Sequence, residues 1–203
     1  VFFRNQPLGC TSTIIYQMYQ EKGAIIDKKT AGILLAAIIS DTLMFRSPTC
    51  TQMDRAAAEA LAKIAEVDIE ELAKKMFEAG SDFKKKTTEE LFYQDFKTFH
   101  TDEFDFGVAQ LSAMSDVQLG MAKKKLQPYL EIALGEQKLD AVFVMLTDIL
   151  DENSEVIYAG AQAGSLLKEC FGEPDESGSF YLKGVVSRKK QMIPTLMAGL
   201  QQA

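Results

Sequence analysis

Hydrophobic residues in the first 79 positions recur every three to four residues, the spacing of amphipathic helices. Ile14, Ile15, Met18 and Tyr19 show the pattern clearly. Asp and Thr residues, whose side chains can accept hydrogen bonds from a first helical turn, precede several of these stretches. We therefore predict that this half is helical. The predicted helices cover residues 11–21, Asp27 to about Phe45, Thr51 to about Ala65 with a weak capping box at Thr51 and Asp54, and Ile69 to Ala79.

From about residue 88 onward, short apolar runs alternate with helical patterns. This alternation is typical of an α/β domain, and we expect a mixed sheet. The predicted strands are 104–111, 141–146, 156–159 and 181–186, and the predicted helices are 117–137, 165–171 and 194–202, the last opened by Pro194.

The stretch from Ser81 to Thr87 is polar and charged, and it separates the two patterns. It is the best candidate for a hinge, with Lys84, Lys85 and Lys86 solvated. The predicted organisation is a helical part over 1–79, a mobile linker over 80–87 and an α/β domain over 88–203. A second lysine triplet, at residues 123–125, is predicted to lie on the solvated face of a helix.

Composition narrows the function classes. The net charge is −7, so bulk charge does not favour a nucleic-acid partner, and any anion site must be a local basic patch. The longest apolar run, Ile33–Ile39, is far too short to span a bilayer. The cysteines are isolated, which argues against a disulfide framework or a zinc site and suits the cytoplasm. The chain begins with Val rather than Met, so we expect a segment upstream.

Arg188, Lys189 and Lys190 lie between the last predicted strand and the helix that Pro194 is expected to open. Cations just before a helix N-terminus oppose the helix dipole. The conflict disappears if a phosphate-like anion lies between the cations and the helix amides. A solvated basic turn fits equally well, and the residues alone do not decide between the two interpretations.

Asp41 occupies a helix that is apolar nearly all round and is therefore expected to be buried on all sides. An ionised carboxylate in such a place is costly unless a cation or a metal pairs with it. Two explanations stay open: Asp41 reaches solvent or Arg46 near the helix end, or it binds a divalent cation. The five-residue offset to Arg46 is poor for a pair within one helix.

Three segments together resemble the family II, manganese-dependent inorganic pyrophosphatases of the DHH phosphoesterase superfamily. They are Pro7–Thr13 (PLGCTST), Ala31–Thr51 (AGILLAAIISDTLMFRSPTCT) and Lys183–Gln191 (KGVVSRKKQ), and Thr147–Leu150 also fits. The resemblance covers essentially the whole chain in order. It implies the helical remainder of a DHH metal-binding domain followed by an α/β C-terminal domain that closes over pyrophosphate.

The resemblance also implies residue roles. Asp41 matches a metal-ligating aspartate, Arg188 and Lys189 match a substrate-binding pair, and Lys97 falls where the family has its other substrate-gripping lysine. The implied cofactor is Mn²⁺, with Co²⁺ or Mg²⁺ as possible substitutes. The implied partner is pyrophosphate, with no nucleic acid and no membrane, and the full-length parent is expected to be a homodimer.

One departure from the family changes the functional expectation. The remaining metal ligands of the family, including its Asp-His-His motif, lie upstream of the region that this chain matches. The single histidine, His100, has no such neighbours and is expected to be a partly exposed strand residue. We therefore predict no catalytic residue in this chain and negligible activity from it alone. An exopolyphosphatase-like phosphohydrolase and a non-catalytic anion-binding module are the alternatives.

Overall fold

The computed structural model describes residues 3–201 and divides the chain into two compact units, Val1–Phe77 and Glu78–Ala203. The first unit is helical and the second is α/β, as the hydrophobic patterns predict. The predicted boundaries, with a helical part over 1–79 and an α/β domain from 88, stay a prediction. No helix in the described part of the chain is long and apolar enough to cross a membrane.

The first unit packs its helices around one core, in which Ala31, Leu35, Ile38 and Leu61 are fully buried. Three helix starts carry the side-chain caps that the sequence indicates, and the Thr51–Asp54 capping box is complete. The prediction that the second helix is buried all round was wrong, because Ile33 is 72% exposed. The helices are α1 Thr11–Glu21, α2 Lys28–Asp41, α3 Gln52–Ala65 and α4 Ile69–Gly80, the last of which runs past the boundary of the unit.

Helix α2 ends at Asp41, four residues before the predicted end. The hydroxyl of Thr42 donates to the Ile38 carbonyl and accepts from the Phe45 amide, so a local side-chain bond competes with the helix. The next three residues, Leu43, Met44 and Phe45, are left-handed, with φ values of 49°, 52° and 68°. Three consecutive non-glycine residues in this region constitute a strained turn directly after Asp41.

The second unit contains a five-stranded sheet in the order β1–β2–β3–β4–β5. Strands β2 and β3 are parallel and all the other neighbours are antiparallel, so the predicted mixed sheet is confirmed. The short first strand was not among the predicted strands, although the sequence analysis expected His100 to be a strand residue. The strands are β1 Phe96–Phe99, β2 Phe106–Ala113, β3 Ala141–Asp148, β4 Asn153–Ala159 and β5 Phe180–Lys183.

Helices cover both faces of this sheet, which is why β3 is buried on both sides. Val142, Val144 and Leu146 belong to one core cluster, and Phe143 and Met145 belong to the other. The predicted 117–137 helix is interrupted by a 3₁₀ turn at Gln127–Tyr129, which contains Pro128. The helices are α5 Thr88–Tyr93, α6 Asp116–Leu126, α7 Leu130–Gln137, α8 Ala163–Phe171 and α9 Ile193–Leu200.

The segment predicted as a linker lies within the second unit, to which Phe83 contributes a fully buried ring. The ammonium group of Lys125 donates to the carbonyls of Phe83, Lys84 and Lys86, at 2.9, 3.3 and 3.0 Å. Helix α6 therefore holds this segment in place. The prediction that the 123–125 triplet is solvated was wrong for Lys125.

Lys123 is engaged as well. Its Nζ lies 2.5 Å from a carboxylate oxygen of Glu155 on β4, and it also donates to the hydroxyl of Ser177. Of the triplet, Lys124 is the exposed residue. Two lysines of this run are therefore structural, and Lys124 is the one that matches the predicted solvated face.

Candidate functional site

The basic triplet lies in a π-helical turn directly before the last α-helix. A π-helical turn, Arg188–Met192, leads directly into α9, so helical conformation starts at Arg188 instead of Pro194. Ser187 caps this turn, because its hydroxyl accepts from the amide of Lys190. Helix α9 itself begins at Ile193, one residue before the predicted Pro194, so the three cations lie between β5 and α9 as predicted, and they form a π-helical turn.

The loop before this turn is held by hydrogen bonds on both sides. The side-chain oxygen of Gln191 accepts from the amides of Val186 and Ser187, both at 3.0 Å, and its nitrogen donates to the carbonyl of Gly184 at 2.7 Å. Gln191 thus fastens the turn it belongs to onto the loop that precedes it. This bonding gives the last residue of the Ser-Arg-Lys-Lys-Gln segment a structural role.

A polar network of side chains on the sheet also holds this loop, through hydrogen bonds to its backbone carbonyls. Gln110 on β2 donates to the carbonyl of Val186 at 3.0 Å and to the hydroxyl of Thr147 at 2.9 Å. Thr147 and Ser154 share a hydrogen bond, and Ser154 donates to the carbonyl of Val185. Because these groups lie on adjacent strands, the sheet fixes the position at which the basic turn begins.

Arg188 is turned inward, and its side chain is only 8% exposed. One terminal nitrogen, Nη1, donates to the backbone carbonyls of Asp95 and Val108, and the other, Nη2, lies 2.8 Å from Oδ1 of Asp95. The Asp95 side chain itself is 48% exposed. A buried guanidinium thus meets a carboxylate that borders on solvent.

Lys97 lies on β1, close in the sheet to the residues that Arg188 contacts. Its backbone is directly opposite Val108, the residue whose carbonyl accepts from Arg188. Lys97 and Lys189 are both exposed, and neither has an ion-pair partner among residues 3–201. The strand register thus places the backbone of Lys97 opposite a residue that Arg188 contacts, and Lys189 follows Arg188 in the chain. We call this part of the β1 edge, with Lys97, Arg188 and Lys189, the basic edge.

Asp41, the predicted metal ligand, lies in the other unit, at the last position of α2, and is exposed. Cys10 is the N-cap of α1. Burial, and secondly the interaction with the Asp41 carboxylate, raises the pKa of the Cys10 thiol to about 11, which favours the protonated thiol at neutral pH. Within the described ranges, Asp41 belongs to no group of three His, Cys, Asp or Glu side chains close enough to share an ion.

Asp54 shapes the surroundings of Cys10, although the sequence indicated it only as half of a capping box. Its buried carboxylate accepts from the amides of Gly9 and Cys10 and from the hydroxyl of Thr13, as well as from Thr51. A Cβ atom at Gly9 would lie 2.9 Å from Cγ2 of Thr42 and 3.0 Å from an Asp54 oxygen, so a larger residue would crowd this contact. No local sequence signal indicated this function, because Gly9, Cys10 and Thr13 are 41 to 45 residues away from Asp54 in the chain.

His100 lies just after β1 and is exposed, and its Nδ1 is 3.1 Å from the carboxylate of Asp105. It thus lies next to a strand rather than in one.

Asp116, Asp148 and Asp151 form the one acidic group within residues 3–201 whose ligand atoms are close enough to share an ion. Asp148 also accepts from the amides of Leu150 and Asp151 in the turn after β3.

Comparison with known proteins places this architecture in a family. The profile of the DHHA2 domain matches residues 74–198. A probable manganese-dependent inorganic pyrophosphatase of Bacillus velezensis is 44% identical over 200 residues, and a manganese-dependent inorganic pyrophosphatase of Bacillus subtilis is 41% identical over 196. Each match covers 97% of this chain and 63% of the relative. The chain therefore spans less than two thirds of the length of these relatives.

A solved structure from Methanococcus jannaschii, assigned to the family II inorganic pyrophosphatases, superposes with a TM-score of 0.84 at 32% identity. The match covers 99% of this chain and 68% of that one. The mixed sheet, covered by helices on both faces, and the profile match define a DHHA2 domain. The chain belongs to the family II, manganese-dependent inorganic pyrophosphatases, so the resemblance predicted from its motifs is confirmed.

Proposed function

We propose that this chain is the substrate-binding part of an enzyme that hydrolyses pyrophosphate to two phosphates, with Lys97, Arg188 and Lys189 binding the phosphate groups. The observation that supports the proposal is that Arg188 bonds to the carbonyl of Val108, the residue opposite Lys97 in the pairing of β1 with β2. Arg presents a planar fork to phosphate oxygens, and Lys supplies a mobile charge. The names of the Bacillus relatives support pyrophosphate as the substrate.

The proposed cofactor is Mn²⁺, with Co²⁺ or Mg²⁺ as substitutes, and Asp41 is proposed as one of its ligands. In this reaction class a bound metal lowers the pKa of water and neutralises phosphate oxygens. Manganese prefers several carboxylate and imidazole ligands, whereas Asp41 is a single exposed carboxylate. The described residues do not fit a manganese cluster, so we derive no catalytic step through the metal.

We also infer that the enzyme is cytoplasmic, that its full-length parent is a homodimer, and that neither nucleic acid nor a membrane is its partner. All three cysteines are free thiols, which supports a reducing compartment. The net charge of −7 disfavours bulk attraction to nucleic acid. The homodimer rests on the family resemblance.

Calorimetric titration of the purified 203-residue chain with pyrophosphate tests the binding proposal, and the same titration with tripolyphosphate tests the exopolyphosphatase-like alternative. We expect weak, salt-sensitive binding that favours pyrophosphate, because charge-assisted hydrogen bonds act at the site without metal charges. With Mn²⁺ added, we expect weak metal binding and negligible phosphate release. Absence of saturable binding would refute the binding proposal. Preference for tripolyphosphate would favour the exopolyphosphatase-like alternative. Rapid phosphate release with Mn²⁺ would show that the chain holds a complete metal site.

A further inference from the structure

The contact between Arg188 and Asp95 places an anion of the protein itself at the basic edge. Asp95 directly precedes β1, and its carbonyl accepts from the amide of Gln110, so the pairing of β1 with β2 extends to Asp95. Residues two apart in an extended strand face the same side. Asp95 and Lys97 therefore face the same side of the sheet, with the Arg188 guanidinium bound between the strand and the start of the last helix.

The exposures of the two partners define which one an incoming anion meets first. The Arg188 side chain is 8% exposed and that of Asp95 is 48% exposed. The carboxylate thus borders on solvent and the guanidinium lies behind it. A phosphate group that binds Arg188 through Nη2 would lie beside the carboxylate oxygen that is 2.8 Å from this nitrogen. Two anionic groups so close repel each other, so the phosphate competes with the carboxylate for the guanidinium.

We propose that Asp95 is a resident counter-anion for Arg188, which a phosphate group displaces, and that Asp95 thereby sets the affinity of the basic edge for phosphate-bearing anions. The inference rests on the proposed function, because it requires that Arg188 bind phosphate. Nη2 carries two N–H groups, so what opposes joint binding is the repulsion between the phosphate and the Asp95 carboxylate. Displacement of the carboxylate relieves this repulsion and costs one charge-assisted hydrogen bond.

The backbone allows the charge of Asp95 to be removed without releasing Arg188. Two of the acceptors of Arg188 are the carbonyls of Asp95 and Val108, which no side-chain change at Asp95 removes. In the isosteric Asp95→Asn variant, the neutral carboxamide can still accept from Nη2. A hydrogen bond between neutral and charged groups is weaker than one between two charged groups, so phosphate displaces it more easily.

Titration calorimetry with sodium pyrophosphate, without metal and at fixed ionic strength, tests the proposal on the full chain. Because the lost bond is weaker, we expect Asp95→Asn to bind pyrophosphate about three- to tenfold more tightly than the unaltered chain. Asp95→Glu keeps the charge and is expected to stay near the unaltered chain. Asp102→Asn, beyond the other end of β1, removes the same charge from an exposed position and is the control.

The outcomes separate this inference from the proposed function. Equal or weaker binding by Asp95→Asn overturns the inference alone, since the unaltered chain still binds. An equal gain in Asp102→Asn also overturns it, because the effect is then general electrostatics. If Asp95→Asn fails to fold, as judged by its thermal midpoint, the two carbonyls do not suffice to hold Arg188. That result also overturns the inference. Absence of binding in the unaltered chain refutes both the proposed site and the inference.

Discussion

Asp54 in the helical unit and Arg188 in the α/β unit are both buried charged residues, but their surroundings differ in kind. Asp54 accepts only from neutral donors, and these donors are backbone amides and threonine hydroxyls. Arg188 donates to two carbonyls and to the carboxylate of Asp95, which borders on solvent. The first charge is enclosed by the fold, whereas the second is connected to the surface.

This difference distinguishes a structural charge from a candidate binding group. Burial alone raises the pKa of Asp54, but hydrogen bonds from Thr13, Thr51 and Gly9 outweigh it, so the pKa is lowered. The hydrogen-bond donors around Asp54 offset the cost of burying its charge, so the carboxylate needs no ligand to stabilise it. Arg188 shares its charge with a displaceable partner, so a ligand can compete there. Loss of Asp54 should therefore affect mainly folding, and changes at the basic edge should affect mainly binding.

The largest expected effect is that of Asp54→Ala on the stability of the helical unit. The change leaves several buried donors without an acceptor, so we expect a loss of roughly 3–5 kcal/mol. Urea unfolding followed by circular dichroism measures it. Asp27→Ala removes an exposed N-cap of the same residue type, with an expected cost of about 1 kcal/mol. Equal losses from the two changes would mean that Asp54 is an ordinary helix cap.

The lowered pKa of Asp54 gives the same prediction an acid dependence. The stabilisation by the ionised carboxylate is fully present above the ordinary pKa of 3.8. It is lost as the pH falls through the lowered folded value, because the unfolded state then binds the proton more readily. Asp54→Asn has no such proton to bind, so its stability should change less over that range. Parallel acid profiles of the two proteins would contradict the assignment.

A smaller effect is expected for Arg188→Ala, which removes the cation from the basic edge. Asp95 is half exposed and can be solvated, so the main loss is the bonding to two carbonyls, about 1–3 kcal/mol. Pyrophosphate binding should fall in the same variant. We measure both the urea midpoint and the calorimetric affinity. Together they distinguish Arg188, whose charge is connected to the surface, from Asp54, whose charge is enclosed by the fold. A stability loss without any loss of affinity would make Arg188 structural, like Asp54.

The sequence predicted best where the determinants are local. Helix α1 begins and ends where its hydrophobic spacing and Gly23 indicate, and the Thr51–Asp54 capping box is present. The end of α2 was missed because a hydroxyl bond of Thr42 stops the helix, which apolar spacing does not reveal. Strand β1 was not among the predicted strands because its sequence, Phe-Lys-Thr-Phe, contains neither an apolar run nor a strict alternation of apolar and polar residues.

The candidate site divides in the same way. Lys97, Arg188 and Lys189 could be proposed from motifs because their spacing in the chain carries the resemblance. The inward orientation of Arg188 could not, since it depends on Asp95 and Val108, which the sheet brings to it. The donors to Asp54 likewise come from Gly9, across two helices. Such long-range hydrogen bonds have no signature in a window of sequence.

The smallest effect on stability, and the sharpest separation of binding from folding, is expected for Lys189→Ala. Lys189 is exposed and has no ion-pair partner among the described residues, so the unfolding free energy should change by less than about 0.5 kcal/mol. Pyrophosphate affinity should nevertheless fall about three- to tenfold, since one charge-assisted contact is lost at a partly solvated site. The salt dependence of binding should weaken too, because fewer cations attract the anion.

Lys124→Ala removes the same charge from the exposed face of α6 and should leave affinity near that of the unaltered chain. Equal losses in both variants would show that attraction is spread over the whole unit, and the basic edge would then not be a site.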